Sequence, residues 1–401
     1  MAPPSSDVSL RRLSVLVAAL TSIGPFAIDT YLPAFGLIGE SLDASPLEVQ
    51  QTLSIYLLMF GVMNLWHGAI SDALGRRVVL LAGLALFGLG CAGAAASSTV
   101  GQLWGWRAVQ GIAGGVGMAV GRAVIRDVAK GSDAQRILAQ TMMLFALAPA
   151  VAPIIGGWIA IVFGWRAIFV FLTLLSAAIF VSTWYQLPET LPAERRQSLH
   201  PGELLRAYAR FFSSADFWRL SGALACNFVG FFLFILASPV LMTVHLGLGP
   251  TGFAWLFLPA MAGTMVGGVL ASRFAGRRSL EWAIRTGYLI MACAATANVA
   301  LNLAGPSSLP WAILPIFLDT TGMGFAQSSL QVRLLDLAPE RMGMVSSCQA
   351  FIQSLGNALA AAVLAPLLWD SMLHLALGMA ALLGIGGLLY LWQLRHGLRV
   401  S

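Results

Sequence analysis

The chain has 401 residues, of which 58% are hydrophobic and only 10% are charged. Soluble domains carry roughly 25% charged residues, so a chain with so few charges cannot cover a water-exposed surface and must use lipid as its solvent. The formal net charge is +6, but the basic residues are spread through short loops between apolar runs, which argues against a nucleic-acid-binding surface.

Long apolar segments alternate with short polar loops along the chain. A transmembrane helix needs about 20 mostly apolar residues, and twelve segments satisfy this requirement. We number them span 1 to span 12 and expect them near residues 13–38, 47–70, 78–97, 102–125, 135–162, 166–186, 218–244, 250–273, 281–303, 309–333, 342–367 and 371–395. The predicted fold class is therefore all-α, a polytopic membrane protein with twelve transmembrane helices.

One long polar connector divides the twelve spans into two sets of six. We predict an N-terminal six-helix half over residues 1–186, a connector over 187–216 and a C-terminal six-helix half over 217–401. The stretch Gly268–Arg278 after span 8 repeats, with changes, the stretch Gly68–Arg77 after span 2. This repeat at matching positions favours duplication of a six-span unit.

The basic residues predict the orientation of the chain. Those outside the spans fall almost entirely into alternate loops, at Arg11, Arg12, Arg76, Arg77, Arg126, Lys130, Arg136, Arg273, Arg277, Arg278, Arg333, Arg341, Arg395 and Arg399. Because cytoplasmic loops carry an excess of lysine and arginine, both termini and the connector are expected in the cytoplasm. The preference for arginine over lysine is typical of a GC-rich bacterial genome, so we expect a bacterial inner membrane protein. We also expect the protein to act as a monomer.

Few charged side chains lie well inside the predicted spans, away from their ends: Asp29 in span 1, Arg107 in span 4 and Asp319 in span 10. A charge at a helix centre in the membrane costs roughly 2.5–3.5 kcal/mol, so such residues are functional candidates by default. Span 7 offers the polar Asn227. These polar groups therefore recur on every third span, on spans 1, 4, 7 and 10.

Three motifs resemble those of the major facilitator superfamily of secondary transporters. The stretch Gly68–Arg77 resembles its signature loop, Gly-x-x-x-Asp-x-x-Gly-Arg-Arg, and the stretch Arg107–Gly111 resembles its span 4 motif, Arg-x-x-Gln-Gly. The glycines that follow Arg107 predict a smooth surface that another helix can approach closely. Span 5 contains a stretch that is similar to the antiporter signature and predicts a kinked, closely packed helix, with Pro149, Pro153, Gly156 and Gly157.

Further stretches of the first half resemble the Bcr/CflA-type drug:proton antiporter branch of that superfamily. They are Asp29–Ala34, Gln51–Leu57 and Arg122–Asp127. The resemblance implies two six-helix halves and export of small drug-like molecules in exchange for protons by alternating access. The expected partners are a small-molecule substrate, protons and the lipid bilayer, with protons as the coupling ion, no cofactor, no metal and no nucleic acid.

Two alternatives to drug export are considered. One is a metabolite exporter for sugars, purines or amino-acid derivatives, and the other is a transport-inactive membrane sensor. The sequence contains no nucleotide-binding loop, nucleophile elbow or His-Cys metal cluster, so we predict that the protein is not an enzyme.

The predicted proton-coupling residues are Asp29, Arg107 and Asp319. Asp29 and Arg107 are expected at similar depth as a buried pair, in which neutralising the acid releases the arginine. The alternative is a structural ion pair that orients two helices, and the cost of buried charge favours the functional interpretation. For Asp319 three interpretations stay open: a second proton site, a counter-charge for a cationic substrate, or a hydrogen bond to Thr320 or Thr321.

Candidate substrate contacts are aromatic, thioether and amide side chains on the helices expected around the cavity. They are Tyr31, Tyr56, Met59, Gln110, Met142, Asn227 and Phe231. Flat and flexible apolar walls with one or two acids suit bulky amphiphilic molecules. The alternative for phenylalanine and methionine at helical spacing is packing or contact with lipid.

The predicted cytoplasmic gate comprises Gly68, Asp72, Gly75, Arg76, Arg77 and Arg126. Asp72 is expected to pair with Arg126 at the end of span 4 and to latch the gate. The repeat at Gly268–Arg278 keeps the arginines but has Ser272 in place of the acid. The two halves are therefore expected to share a scaffold of which only the first carries the full latch.

Overall fold

In the computed structural model, residues 10–129, 131–305 and 308–397 are described, and every regular element among them is helical. Within these described ranges, ten stretches are long and apolar enough to cross a membrane. The helices Gly131–Phe163 and Leu314–Leu335 occupy the two remaining predicted positions, spans 5 and 10. The all-α fold class is confirmed.

The chain divides into two compact units, Met1–Pro201 and Gly202–Ser401. The helices of the first unit are Leu10–Asp29 and Phe35–Leu42 (span 1), Pro46–Leu74 (span 2), Arg76–Ala95 (span 3), Val100–Gly114 and Val116–Val128 (span 4), Gly131–Phe163 (span 5) and Trp165–Gln186 (span 6). Those of the second unit are Pro201–Phe212, which crosses the boundary, Ala215–Leu236 and Ser238–Val240 (span 7), Ala254–Phe274 (span 8), Leu280–Ala304 (span 9), Leu314–Leu335 (span 10), Met342–Leu359 and Ala365–Leu368 (span 11) and Met372–Gly397 (span 12). Short π-helical turns follow in span 7 at Leu241–His245 and in span 11 at Ala360–Leu364.

Both units keep large apolar side chains on their surfaces. Leu174 is 65% exposed, Leu289 66% and Leu388 68%. In water such surfaces would drive aggregation, whereas in a bilayer they meet lipid. The helices satisfy their own backbone hydrogen bonds, which is the condition for crossing a hydrocarbon layer.

Span 1 is not the continuous helix that hydropathy predicts. Its first helix ends at Asp29, and a short 3-10 turn at Leu32–Ala34 leads into the second helix. Pro33 has no backbone N–H, so it cannot donate to the Asp29 carbonyl four residues earlier, and the hydrogen-bond ladder stops there. Asp29 therefore stands at a helix end inside the first unit.

Span 4 is also interrupted, between Gly114 and Val116. A Cβ at Gly111 would clash with the Tyr56 carbonyl, and one at Gly117 would clash with the Leu20 carbonyl. Span 4 thus approaches spans 1 and 2 at backbone distance, which only glycine permits. The smooth glycine surface predicted for this span is confirmed.

The connector is structured rather than a plain linker. Its first part folds against the loop between spans 2 and 3, where the Gln197 amide donates to the Asp72 carbonyl at 3.1 Å. Its second part is the helix Pro201–Phe212, in which Phe212 packs against Phe217 and Phe351. The boundary between the two units falls inside the predicted connector.

A buried arginine between two tyrosines

The first unit holds Arg107 fully buried, at 0% exposure. Its guanidinium carbon lies 4.7 Å from the ring centroid of Tyr31 and 4.4 Å from that of Tyr56. Spans 1, 2 and 4 each contribute one of these three side chains. The guanidinium is therefore stabilised by two aromatic faces, each attracting the cation through its ring quadrupole.

Hydrogen bonds hold the guanidinium on one side only. Arg107 Nη1 donates to the Ala27 carbonyl at 3.1 Å and to Gln110 Oε1 at 2.6 Å. Gln110 Nε2 in turn donates to the Gly90 carbonyl of span 3 at 3.1 Å. Nε and Nη2 of Arg107 are buried and have no hydrogen-bond partner among the described residues. Three of the five N–H donors of this cation are thus unused among the described residues.

Gln110 was predicted as a substrate contact. In this structure it is 0% exposed, and both polar atoms of its amide are engaged, one with Arg107 and one with the backbone of span 3. The arrangement makes Gln110 a positioning residue for Arg107. Its contact with substrate stays a prediction.

Asp29 lies beside this cluster but does not pair with Arg107. The carboxyl is 4% exposed, and no ion pair joins it to the guanidinium, although both residues are described. The expected Asp29–Arg107 pair is therefore not formed, because the Ala27 carbonyl and the ring of Tyr31 occupy the positions next to the cation. Each charge is held separately, so neutralising the acid leaves the contacts of the arginine in place.

The two tyrosines are anchored by their own hydroxyls. The Tyr31 hydroxyl lies 2.7 Å from Thr52 Oγ1, and the Tyr56 hydroxyl donates to the Gly24 carbonyl at 3.3 Å. Both residues are 0% exposed, so neither lines an open surface in this structure. Met59 is half-buried beside Gly111. Met142 lies in span 5 among the helix residues whose side chains are not described.

Span 5 packs against span 1 next to Tyr31. Its helix contains Pro149 and Pro153, as the predicted kinked helix requires. A Cβ at Gly156 would clash with the backbone of Thr30, between Asp29 and Tyr31. Gly157 is buried beside it. The antiporter-like stretch therefore packs directly on the helix end that carries Asp29.

We expect the Gly156→Ala variant to disturb transport through this contact. The added methyl must push the Thr30 backbone away, and overpacking of this kind costs about 1–3 kcal/mol. The melting temperature of the purified protein and its transport rate should both fall. The matched control is Gly105→Ala in span 4, where no atom lies within 4 Å of an added Cβ. Equal behaviour of the two variants would contradict the packing role of Gly156.

In the second unit Asp319 is buried, at 2% exposure, and its Oδ2 has no hydrogen-bond partner among the described residues. The neighbouring hydroxyls are used elsewhere: Thr320 donates to the Ile316 and Phe317 carbonyls, and Thr321 donates to the Phe317 carbonyl. The interpretation in which Asp319 bonds to either threonine is therefore wrong. A proton site and a counter-charge remain as its alternatives.

The other two predicted residues of the second unit are packing residues in this structure. Asn227 is 4% exposed, and its Nδ2 donates to the Tyr288 hydroxyl of span 9 at 3.0 Å. Phe231 is 3% exposed and meets Phe228 edge to face at 6.1 Å. Their contact with substrate stays a prediction.

A second charged cluster surrounds the loop between spans 2 and 3. Arg76 binds Asp72 Oδ1 at 2.5 Å through Nη2, Asp127 Oδ2 at 3.2 Å through Nε and Ser71 Oγ at 2.6 Å through Nη1. The expected pair between Asp72 and Arg126 is not formed. Because Arg76 begins span 3 one turn after Asp72, it reaches the carboxylate first, while Arg126 is exposed. The residue of span 4 that joins the cluster is Asp127.

The connector completes this cluster through Glu189. Its Oε1 accepts from the Arg76 amide at 2.9 Å and its Oε2 from the Arg77 amide at 3.3 Å. A carboxylate at the start of a helix satisfies free N–H groups and meets the positive end of the helix dipole. Gly75 has φ +104°, which explains the glycine at this tight corner. Arg77, also predicted for the gate, donates to the Trp184 carbonyl at 2.6 Å. At Gly68, the other predicted gate glycine, an added Cβ would meet no atom within 4 Å.

Asp127 and Glu189 are the functional candidates that sequence reasoning missed. The available signal was their sign and their position near arginines: Asp127 directly follows Arg126, and Glu189 lies six residues before Arg195. Only the fold shows which arginine each of them meets.

We expect the Asp72→Asn variant to impair transport several-fold more than Ser272→Ala. The Arg76 side chain is only 8% exposed, so losing one of its two carboxylates leaves a shielded charge with weaker compensation. Ser272 donates only to the Val269 carbonyl within its own helix. Efflux rates of the two variants at equal membrane abundance provide the measurement, and equal rates would contradict a special role for the first loop.

Among the described residues no group of three or more His, Cys, Asp or Glu side chains could hold a metal ion. Two helical units, each with a costly acid inside its membrane helices, define a polytopic membrane protein of the secondary transporter class. The family description Major Facilitator Superfamily matches residues 16–361, and the chain belongs to this family of transporters. It is a transporter and not an enzyme.

Known proteins agree with this assignment. The chain is 25% identical over 393 residues to the bicyclomycin resistance protein homolog of Haemophilus influenzae, covering 95% of each chain. It is 30% identical over 262 residues to multidrug resistance protein D of Escherichia coli, covering 65% of this chain and 66% of that one. These relatives confirm the resemblance to the Bcr/CflA-type branch. The human organic anion transporter MFSD10 (TETRAN) has the same fold, with a TM-score of 0.70 at 19% identity over 98% of this chain and 100% of that one.

Proposed function

We propose that this transporter exports small drug-like molecules from the cytoplasm in exchange for protons, by alternating access. The observation that carries the proposal is Asp29, a carboxyl that is 4% exposed at a helix end inside the first unit and is free of any ion pair with its neighbour Arg107. Such a group can take up and release a proton without dismantling the cation beside it. The drug-resistance names of two relatives support the substrate class.

Protons serve as the coupling ion and no cofactor takes part. Nε and Nη2 of Arg107 have no hydrogen-bond partner among the described residues, and the cation forms no ion pair with Asp29, so it supplies a fixed positive field rather than a switching salt bridge. Asp319, whose Oδ2 is also unpartnered, acts as a second proton site or as a counter-charge for a cationic substrate. The protein works as a monomer in the bacterial inner membrane, with both termini in the cytoplasm, in keeping with the distribution of its arginines.

The test is a drug accumulation assay in cells that express the protein, with a panel that includes bicyclomycin and chloramphenicol, with and without an uncoupler. We expect lower accumulation of at least one compound, and loss of that difference when the uncoupler dissipates the proton gradient. The Asp29→Asn variant at equal abundance is the matched control and should behave like cells without the protein.

Two results would redirect the proposal. If no compound of the panel is exported, the metabolite exporter becomes the better interpretation, and sugars, purines and amino-acid derivatives are the next panel. If export occurs but is insensitive to the uncoupler and to Asp29→Asn, proton coupling is wrong while drug export stands.

A further inference from the structure

A groove of about 730 Å³ runs between spans 9 and 12 of the second unit. Small residues on facing helices open it, among them Ala292 of span 9 and Gly384 of span 12. Its volume lies within the range of about 300–1,000 Å³ that is typical of small-molecule sites. None of its lining residues is among those proposed for transport, although one of them, Tyr288, accepts a hydrogen bond from Asn227 through its hydroxyl.

The groove is open towards lipid and extends along the membrane normal. Leu303 and Leu391 line it and are 69% and 51% exposed. Arg285 and Leu303, which both line it, are separated by about 27 Å at 1.5 Å of rise per helical residue. This length approaches the thickness of about 30 Å of the whole hydrocarbon core, so the groove is more than long enough for an acyl chain, which reaches through about half of that thickness.

One end of the groove carries a free cation. Arg285 is exposed, and it forms no ion pair or hydrogen bond with the described part of the chain. Its neighbour Arg333, by contrast, binds Glu281 at 2.8 Å. A guanidinium offers a planar fork of donors that matches the oxygens of a phosphate.

The same end holds a buried polar atom that lacks a partner among the described residues, the hydroxyl of Tyr390. Tyr390 lines the groove and is 3% exposed. Tyr390 stacks on Tyr288 with ring centroids 5.9 Å apart, and Tyr288 lies one helical turn from Arg285 on span 9. A buried hydroxyl without a partner costs free energy, so a polar group of a ligand at this end would be stabilising.

We propose that this groove binds an anionic phospholipid, with an acyl chain between spans 9 and 12 and the headgroup phosphate at Arg285. The apolar length selects a lipid rather than a soluble anion, and the unpaired arginine selects a headgroup with net negative charge. The site is independent of the proposed transport activity, since it lies on the lipid-facing side of the second unit.

Native mass spectrometry of the full-length protein tests the headgroup. The protein is extracted from vesicles of equal parts phosphatidylglycerol and phosphatidylcholine, and the retained lipids are counted. We expect wild type to retain phosphatidylglycerol in preference, and Arg285→Gln to lose that preference several-fold. The matched control is Arg277→Gln, which removes an equal charge from an exposed residue outside the groove and should behave like wild type.

A second pair of variants tests the acyl chain. Ala292 is exposed and lines the groove, so Ala292→Trp should fill it and reduce retention of the lipid. Cys293 is also exposed but does not line the groove, so Cys293→Trp should leave retention unchanged. Retention that is equal for both headgroups, or unchanged in Arg285→Gln, would overturn the proposal. A loss in Arg285→Gln with full retention in Ala292→Trp would indicate a simple anion site and would also overturn it.

Discussion

The Asp29→Asn variant should lose proton-driven efflux by at least about tenfold, which corresponds to about 1.4 kcal/mol in the barrier, while the protein stays folded. Asparagine matches aspartate in shape but cannot exchange a proton. Because no ion pair joins Asp29 to Arg107, the amide leaves no cation without its partner. The melting temperature should therefore stay equal or rise, since a carboxylate that is 4% exposed is costly to bury.

Purified protein in proteoliposomes with an imposed pH gradient allows both quantities to be measured. The matched control is Glu40→Gln, an exposed carboxylate in the second helix of span 1, which should transport like wild type. A variant that melts early and transports normally would indicate a purely structural role for Asp29. Unchanged coupled transport would remove Asp29 from the mechanism altogether.

The Arg107→Lys variant should also lose transport, by about tenfold or more, despite keeping its charge. Lysine cannot lie flat between the rings of Tyr31 and Tyr56, and an ammonium is more strongly hydrated than a guanidinium. Arg107 makes its hydrogen bonds to Ala27 and Gln110 through Nη1 alone, so the expected loss comes from the planar stacking that lysine cannot reproduce. We expect a lower melting temperature as well, because spans 1, 2 and 4 meet at this side chain.

Arg122→Lys is the control for this substitution. Arg122 lies on the same span, is exposed and donates only to the Met118 carbonyl of its own helix. It should keep both stability and transport. If Arg107→Lys transported like Arg122→Lys, charge alone would suffice and the aromatic stacking would have no functional role.

Hydropathy predicted the helices well because a membrane helix satisfies its backbone hydrogen bonds within one local segment. Length and polarity therefore locate most of the spans, whereas the helix Leu314–Leu335, which carries Asp319, is not among the ten long apolar stretches of the described residues. The interruptions within the span helices were harder to predict from the sequence. The end of the helix at Asp29 depends on Pro33, which is visible in the sequence, but its consequence for the position of Asp29 requires the packing of span 5.

The free-energy cost of charged side chains in lipid identified the candidate residues, but only tertiary packing determined which of them are in contact. The expense of an ionisable group in lipid singled out Asp29, Arg107 and Asp319. Charge sign then suggested that Asp29 should meet Arg107, and that Asp72 should meet Arg126. Neither pair is formed, because tyrosine rings and a carbonyl surround Arg107 and because Arg76 lies one turn from Asp72.

Composition, hydropathy and motif spacing were sufficient for the fold class, the family and the identity of the charged residues, since these depend on local segments and on the free energy of transfer into lipid. The partners of those residues were decided by the close approach of span 4 to spans 1 and 2 at Gly111 and Gly117, and by the connector folding back to place Glu189 on span 3. Such contacts join residues far apart in the chain. Their geometry depends on which backbones can touch, and opposite charge alone does not select among several acids and arginines at similar depth.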